Sequence, residues 1–106
     1  MPKRGDIALV NFPFTDLSGE KRRPALIIAI SAHQFVTLFI TSQVEGERKW
    51  SVPIRATRES GLLVPSMIVC DKVASFDSLI VKGAIGKAPQ DTMRKIDSKL
   101  RTLLRL

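Results

Sequence analysis

The sequence predicts a small, mostly antiparallel β-barrel or strongly bent sheet that is followed by one C-terminal helix. Five or more short apolar segments alternate with polar turns that contain Gly or Pro, a pattern typical of short strands. From Pro89 onward the apolar residues recur with the period of an α-helix instead. A length of 106 residues, 44% of them hydrophobic and 25% charged, is typical of one compact domain, and we expect a single domain over residues 1–106.

Three strands are predicted in the first half of the chain, and all three are apolar on most of both faces, as buried strands are. Between the first two, the polar residues 15–21 predict an exposed loop. A polar connection of hairpin length joins the second strand to the third. The three strands are predicted over residues 6–12, 25–30 and 35–41.

The second half contains shorter segments. Pro53 lacks a backbone N–H, which favours an edge position for the strand that contains it. Residues 55–65 are irregular and predict a loop with room for one helical turn. The remaining predictions are a fourth strand over 50–54, a fifth over 67–71, and one or two short strands within 75–86.

The C-terminal segment is predicted to be an amphipathic helix, and Pro89 suits its first turn. Basic side chains occupy the positions outside the apolar stripe, and those near the C-terminal end also suit the helix dipole. We expect this helix to pack its stripe on the barrel and to leave its charges in solvent, in preference to binding nucleic acid with them. The stripe consists of Met93, Ile96, Leu100, Leu103 and Leu104.

Charge and ligand content restrict the classes of function. Seventeen Lys and Arg against ten Asp and Glu give a formal charge of +7, which favours polyanionic partners such as RNA, DNA or an acidic protein segment, although it equally serves solubility. The single cysteine, Cys70, cannot form an internal disulfide, and with one histidine the chain has too few soft ligands for a zinc site. No apolar run reaches the ~18 residues of a membrane span, so we expect a cytoplasmic protein.

Several segments, in order along nearly the whole chain, together resemble the MazF/PemK family of toxin ribonucleases, or mRNA interferases. The likeness continues through Gly61-Leu62, Cys70-Asp71-Lys72 and the terminal helix. It implies an SH3-like barrel, a homodimer, cleavage of single-stranded RNA at short sequences without a cofactor, and restraint by a cognate antitoxin. The segments that carry it are Arg4-Gly5-Asp6-Ile7, Phe12-Pro13-Phe14, Lys21-Arg22-Arg23-Pro24-Ala25-Leu26-Ile27-Ile28 and Ile40-Thr41-Ser42-Gln43.

The resemblance also implies roles for individual residues. Arg23 and Thr41 correspond to the catalytic pair of the family, and Asp71 corresponds to an acidic residue that one branch uses as a base. That branch carries an arginine, acting as the acid, immediately before its Cys-Asp pair, whereas this chain has Val69 there.

These residue types suit the chemistry, because RNA carries its own nucleophile, the 2′-hydroxyl, and needs only proton transfer and charge stabilisation. Arginine keeps its charge and matches phosphate oxygens with a planar fork, and a threonine hydroxyl can donate to a phosphate oxygen. A metal is dispensable in such a reaction. Residues expected to contact RNA are Lys21, Arg22 and Lys49 for the backbone, and Ser42 and Gln43 for base edges.

Two other functions remain open at this stage. The first is a non-catalytic toxin of the gyrase-poison type, which shares the barrel but acts by binding a protein. The second is a nucleic-acid-binding barrel without toxicity, which the absence of an aromatic stacking motif disfavours.

Overall fold

Six antiparallel strands and one C-terminal helix make up the part of the chain that the computed structural model describes, namely residues 2–10, 22–46, 49–81 and 83–106. The end of the predicted first strand, residues 11–12, and the predicted 15–21 loop lie outside this part. The elements are β1 (Asp6–Val10), β2 (Arg23–Ile30), β3 (Gln34–Thr41), β4 (Ser51–Ile54), β5 (Ser66–Asp77), β6 (Ala84–Lys87) and α1 (Gln90–Leu104).

The strands form one curled sheet in the order β4-β5-β3-β2-β1-β6, with every neighbouring pair antiparallel. The predicted edge position of the strand that contains Pro53 is confirmed. The second edge, β6, is met by the loop that follows β4, since the Lys87 backbone N–H donates to the Glu59 carbonyl oxygen at 2.8 Å. This contact brings the two ends of the sheet together and gives the small bent-sheet architecture that the sequence predicted.

Two glycines permit this close approach. Gly61 has φ +72°, and a Cβ built on it would lie 2.1 Å from the Ile85 carbonyl oxygen. A Cβ on Gly86 would lie 2.2 Å from the Ser60 carbonyl oxygen. The backbones of the loop and of β6 therefore touch, and no side chain fits between them.

Both faces of the sheet are buried, as the apolar runs of the first strands predicted. One apolar cluster lies between the sheet and α1 and is centred on Ile7, Leu26 and Ile96. The other lies on the opposite side of the same strands and contains Ala8 and Ile27. Adjacent residues of β1 and β2 thus point into different clusters, because successive side chains alternate across a strand.

Helix α1 packs on the first cluster with the predicted stripe, whose first members, Met93 and Ile96, are buried. The stripe is less buried at its C-terminal end, where Leu104 is 58% exposed. An ion pair between Arg4 and Asp97 links the helix to the segment before β1, and Arg4 Nε also donates to the Ile28 carbonyl oxygen at 3.0 Å. No helix in the described part of the chain is long and apolar enough to cross a membrane.

Strand β5 is longer than predicted, since it continues past residue 71 to Asp77. Its pairing with β3 is interrupted between Phe39, opposite Val69, and Leu38, opposite Val73. Residues 70–72 are therefore extra on β5 and form a bulge. Asp71 and Lys72, the charged residues in this bulge, interrupt the apolar run from which the strand over 67–71 was predicted. The remaining predicted strand material within 75–86 consists of the end of β5, a 3-10 turn and β6.

Candidate active site

A cleft of about 840 Å³ opens where β2 begins and β3 ends. Polar and basic residues from these two strand ends line one part of it, and apolar residues of the 61–64 loop line another. The lining residues that matter below are Arg22, Arg23, Thr41, Ser42, Gln43, Val69, Lys72, Leu9, Leu63, Val64 and Ile85. Five of the eight predicted site residues are thus collected in one place.

The pairing of β2 with β3 explains why Arg23 and Thr41 meet. Ala25 lies opposite Phe39, and both predicted catalytic residues lie two positions farther along, at the same end of their strands. A two-residue step returns to the same face of a strand, so both side chains are on one face. Arg23 is also held on its other side, where it is paired with Val10 of β1. It is half-buried, while Arg22 beside it is exposed.

Thr41 is half-buried at the end of β3, and its Oγ1 accepts the backbone N–H of Gln43 at 3.1 Å. The hydroxyl is oriented by this contact, which turns the chain out of the strand and carries Ser42 and Gln43 to the rim of the cleft. Because the oxygen acts as the acceptor, the hydroxyl hydrogen can be donated to a ligand.

Three predicted residues are not in the cleft wall that the structure describes. Asp71 is exposed but does not line the cleft. Lys49 lies near α1, where its carbonyl oxygen accepts a hydrogen bond from Lys99 Nζ at 3.0 Å and its own ammonium is 5.2 Å from the centre of the Trp50 ring. Lys21 lies outside the described residues.

The sequence prediction missed two components of the cleft. One is Lys72, whose Nζ lies 5.3 Å from the centre of the Phe39 ring. The other is an apolar rim that includes Leu63, 96% exposed, and Val64. The only signal for the rim in the sequence was the apolar run 62–64 within a segment that otherwise reads as a polar loop.

Cys70 is fully buried, and its environment argues against a role as a nucleophile. The pKa of its thiol is raised to about 11, chiefly by burial, which Lys99 partly opposes and Asp71 reinforces. A thiol with such a pKa is protonated at neutral pH, and the thiolate is the reactive form. Among the described residues, no group of three or more His, Cys, Asp or Glu side chains is arranged to hold a metal ion.

A sequence profile of PemK-like, MazF-like toxins of type II toxin-antitoxin systems matches residues 3–104. The chain belongs to the PemK/MazF toxin family. The resemblance seen in the sequence is therefore confirmed, and this PemK/MazF protein is the toxin of a toxin-antitoxin system. A comparison with curated protein sequences gives no match.

Solved structures of the family share the fold of this PemK/MazF toxin. An endoribonuclease from a mycobacterial species, in complex with its cognate antitoxin, is 19% identical with a TM-score of 0.76, over 100% of this chain and 97% of that chain. MazF from Deinococcus radiodurans is 23% identical with a TM-score of 0.77, over 99% and 97%. Mycobacterium tuberculosis toxin MazF-mt6 is 21% identical with a TM-score of 0.75, over 95% and 97%.

Proposed function

We propose that this PemK/MazF toxin is an endoribonuclease that cuts single-stranded RNA, mRNA included, at short sequences in the cleft between β2 and β3. The observation that carries the proposal is the presence of Arg23 and Thr41 on one face at the same end of paired strands, in one cleft. Two structurally similar proteins support it, since they are an endoribonuclease and the toxin MazF-mt6.

The reaction begins with attack of the substrate's 2′-hydroxyl on the adjacent phosphorus. The O2′–P bond forms as the 2′-hydroxyl releases its proton to water, and the bond from phosphorus to the 5′-oxygen breaks as that oxygen takes up a proton from water. The products carry a 2′,3′-cyclic phosphate and a 5′-hydroxyl. The guanidinium of Arg23 binds the non-bridging oxygens as negative charge accumulates on them, and the hydroxyl of Thr41 donates to the same group. No step requires a metal ion, because the nucleophile belongs to the substrate.

The surroundings of this pair are suited to RNA. Arg22 is exposed beside Arg23 and can contact a neighbouring phosphate, while Ser42 and Gln43 at the rim can hydrogen-bond to base edges. The exposed apolar side chains of the 61–64 loop give unstacked bases a surface to cover. The formal charge of +7 adds attraction at longer range.

We further propose that the toxin works in the cytoplasm as a homodimer and is restrained by a cognate antitoxin. The family consists of toxins of toxin-antitoxin systems. The mycobacterial endoribonuclease was solved with its antitoxin, and MazF of Deinococcus radiodurans was solved together with MazE. A strongly basic toxin suits an acidic inhibitor segment.

Arg23→Ala tests the site. Losing one donor to the transition state typically lowers the rate by ~10²- to 10³-fold, so the variant is expected to lose RNA cleavage and growth arrest. Its free energy of unfolding, measured in urea, should stay within about 0.5 kcal/mol of the wild-type value, as for most surface substitutions. Arg58→Ala, at an exposed arginine that does not line the cleft, is the matched control and should cleave normally.

The substrate provides a second control, because an oligonucleotide with 2′-deoxyribose at the cut site should bind but resist cleavage. If Arg23→Ala cleaves at the wild-type rate, or loses activity only by unfolding, the site assignment is wrong. If the wild-type protein leaves naked RNA intact and still arrests growth, a non-catalytic toxin is the better explanation.

A further inference from the structure

We propose that Lys72 is a second cation, beside Arg23, that contacts the reacting phosphate. The assignment rests on the proposed RNA cleavage and adds a residue that the motif comparison did not select. It also replaces Asp71 as the residue that this part of β5 contributes to the reaction.

The bulge in β5 determines which side chain reaches the cleft. Three residues are inserted between Val69, opposite Phe39, and Val73, opposite Leu38. Cys70 turns inward, is buried, and donates its backbone N–H to the Trp50 carbonyl oxygen at 2.8 Å. Asp71 is exposed away from the cleft wall, and Lys72 lines it. A regular strand through these residues would not have produced this distribution.

The ammonium of Lys72 has a defined position within the cleft. It lies 5.3 Å from the centre of the Phe39 ring, a distance at which a cation is attracted to an aromatic face. Phe39 is itself packed against an apolar cluster and precedes Thr41 by two residues on the same face of β3. A two-residue step along a strand is about 7 Å, so the ring that the ammonium contacts is a near neighbour of Thr41 in the wall of the same cleft.

The chemistry of the reaction gives a second cation a purpose. The phosphorane carries more negative charge than the starting phosphodiester, and fixed positive groups stabilise it most where charge develops. Arg23 supplies a planar fork from β2, and Lys72 supplies a compact point charge from β5. The other β5 residues in the wall, Ser66 and Val69, carry no charge, and Lys72 is the single basic residue in the sequence of β5.

The test compares Lys72→Met with the same substitution at a lysine outside the cleft. Met keeps much of the apolar stem of Lys72 and its contact with the ring but removes the charge. Lys95→Met is the control, because Lys95 is an exposed lysine of α1 that does not line the cleft. Single-turnover cleavage at saturating protein reports on the transition state, and binding of the 2′-deoxy oligonucleotide reports on the ground state.

We expect Lys72→Met to lower the saturating cleavage rate by ~10- to 100-fold, less than a rigid donor because the side chain is flexible. Affinity for the uncleavable oligonucleotide should fall much less than the rate does. Lys72→Arg should recover most of the rate, and Lys95→Met should match wild type in both measurements. Lys72→Gln, a polar neutral variant, should repeat the loss, and unchanged urea midpoints establish that each variant is folded.

Two results would overturn the assignment. In one, Lys72→Met and Lys72→Gln cleave at the wild-type saturating rate. In the other, they lose affinity alone, which makes Lys72 a backbone contact rather than a participant in the reaction. Wild-type protein that does not cleave RNA would instead overturn the proposed function, and the Lys72 assignment with it.

Discussion

A glycine-to-alanine series tests how the loop after β4 closes against β6. Gly61→Ala adds a methyl group 2.1 Å from the Ile85 carbonyl oxygen and also imposes φ +72° on a residue with a side chain. Gly86→Ala adds a methyl group 2.2 Å from the Ser60 carbonyl oxygen, in a strand where no positive φ is required. Both neighbours are backbone atoms, so neither methyl group can be accommodated by rotating a side chain.

The two costs have known magnitudes. Forcing extra atoms into a packed site costs about 1–3 kcal/mol, and a left-handed backbone costs a residue with a Cβ about 1–2 kcal/mol. Gly86→Ala is therefore expected to lose about 1–3 kcal/mol of unfolding free energy, and Gly61→Ala about 2–5 kcal/mol. A small domain has about 5–15 kcal/mol in total, and 1 kcal/mol shifts Tm by about 4–8 °C.

Two other glycines separate the contributions. Gly5 has φ +94° but no described atom within 4 Å of a built Cβ, so Gly5→Ala should show only the conformational cost. Gly83 has neither feature, and Gly83→Ala should stay within about 0.5 kcal/mol of wild type. Urea unfolding at one fixed protein concentration, with equal slopes, gives the order Gly83, then Gly5 and Gly86, then Gly61. Equal midpoints for Gly61→Ala and Gly83→Ala would refute the packing described for this closure.

Three further predictions concern the whole protein. RNA cleavage should persist in excess EDTA, and activity that disappears and returns with Mg²⁺ or Mn²⁺ would exclude the metal-free reaction. Light scattering should give a mass of about twice 11.8 kDa, and a strictly monomeric active species would contradict the dimer. The pKa of Cys70 is raised from 9.0 to about 11 in the folded protein, chiefly by burial, so the unfolded chain loses the thiol proton at a lower pH than the folded protein does. The contribution of the buried neutral thiol to stability is therefore complete below pH 9 and is lost as the pH rises toward 11. Wild-type stability should fall more steeply than that of Cys70→Ala across this range, and parallel pH profiles would contradict it.

The strands were predictable where most of their residues are apolar. The runs 25–30 and 35–41 coincide closely with β2 and β3 because buried strands need apolar side chains on both faces. The helical stripe was predicted from its period, but the period does not show where packing stops. The apolar cluster beneath α1 extends to Leu100, which leaves Leu104 mostly exposed.

The cleft was predictable in part. Arg23 and Thr41 are adjacent because of simple antiparallel pairing, and the resemblance had already selected both. It was not predictable that Lys72 lines the cleft and Asp71 does not, since this depends on a bulge set by pairing with residues of β3 that are distant in sequence. Alternation along an isolated strand cannot reveal where an extra residue reverses it.

The way this sheet ends also bears on how the toxin behaves at high concentration. An uncovered edge strand presents unpaired N–H and C=O groups that can recruit a strand from another molecule and begin aggregation. Here β4 contains Pro53, which cannot donate a backbone hydrogen bond. In β6, the Lys87 backbone N–H donates to the Glu59 carbonyl oxygen in the loop that follows β4. Opening that loop, as Gly61→Ala should do, would expose β6 to other copies. Insoluble protein during expression is therefore expected to accompany the lowered urea midpoint of such a variant.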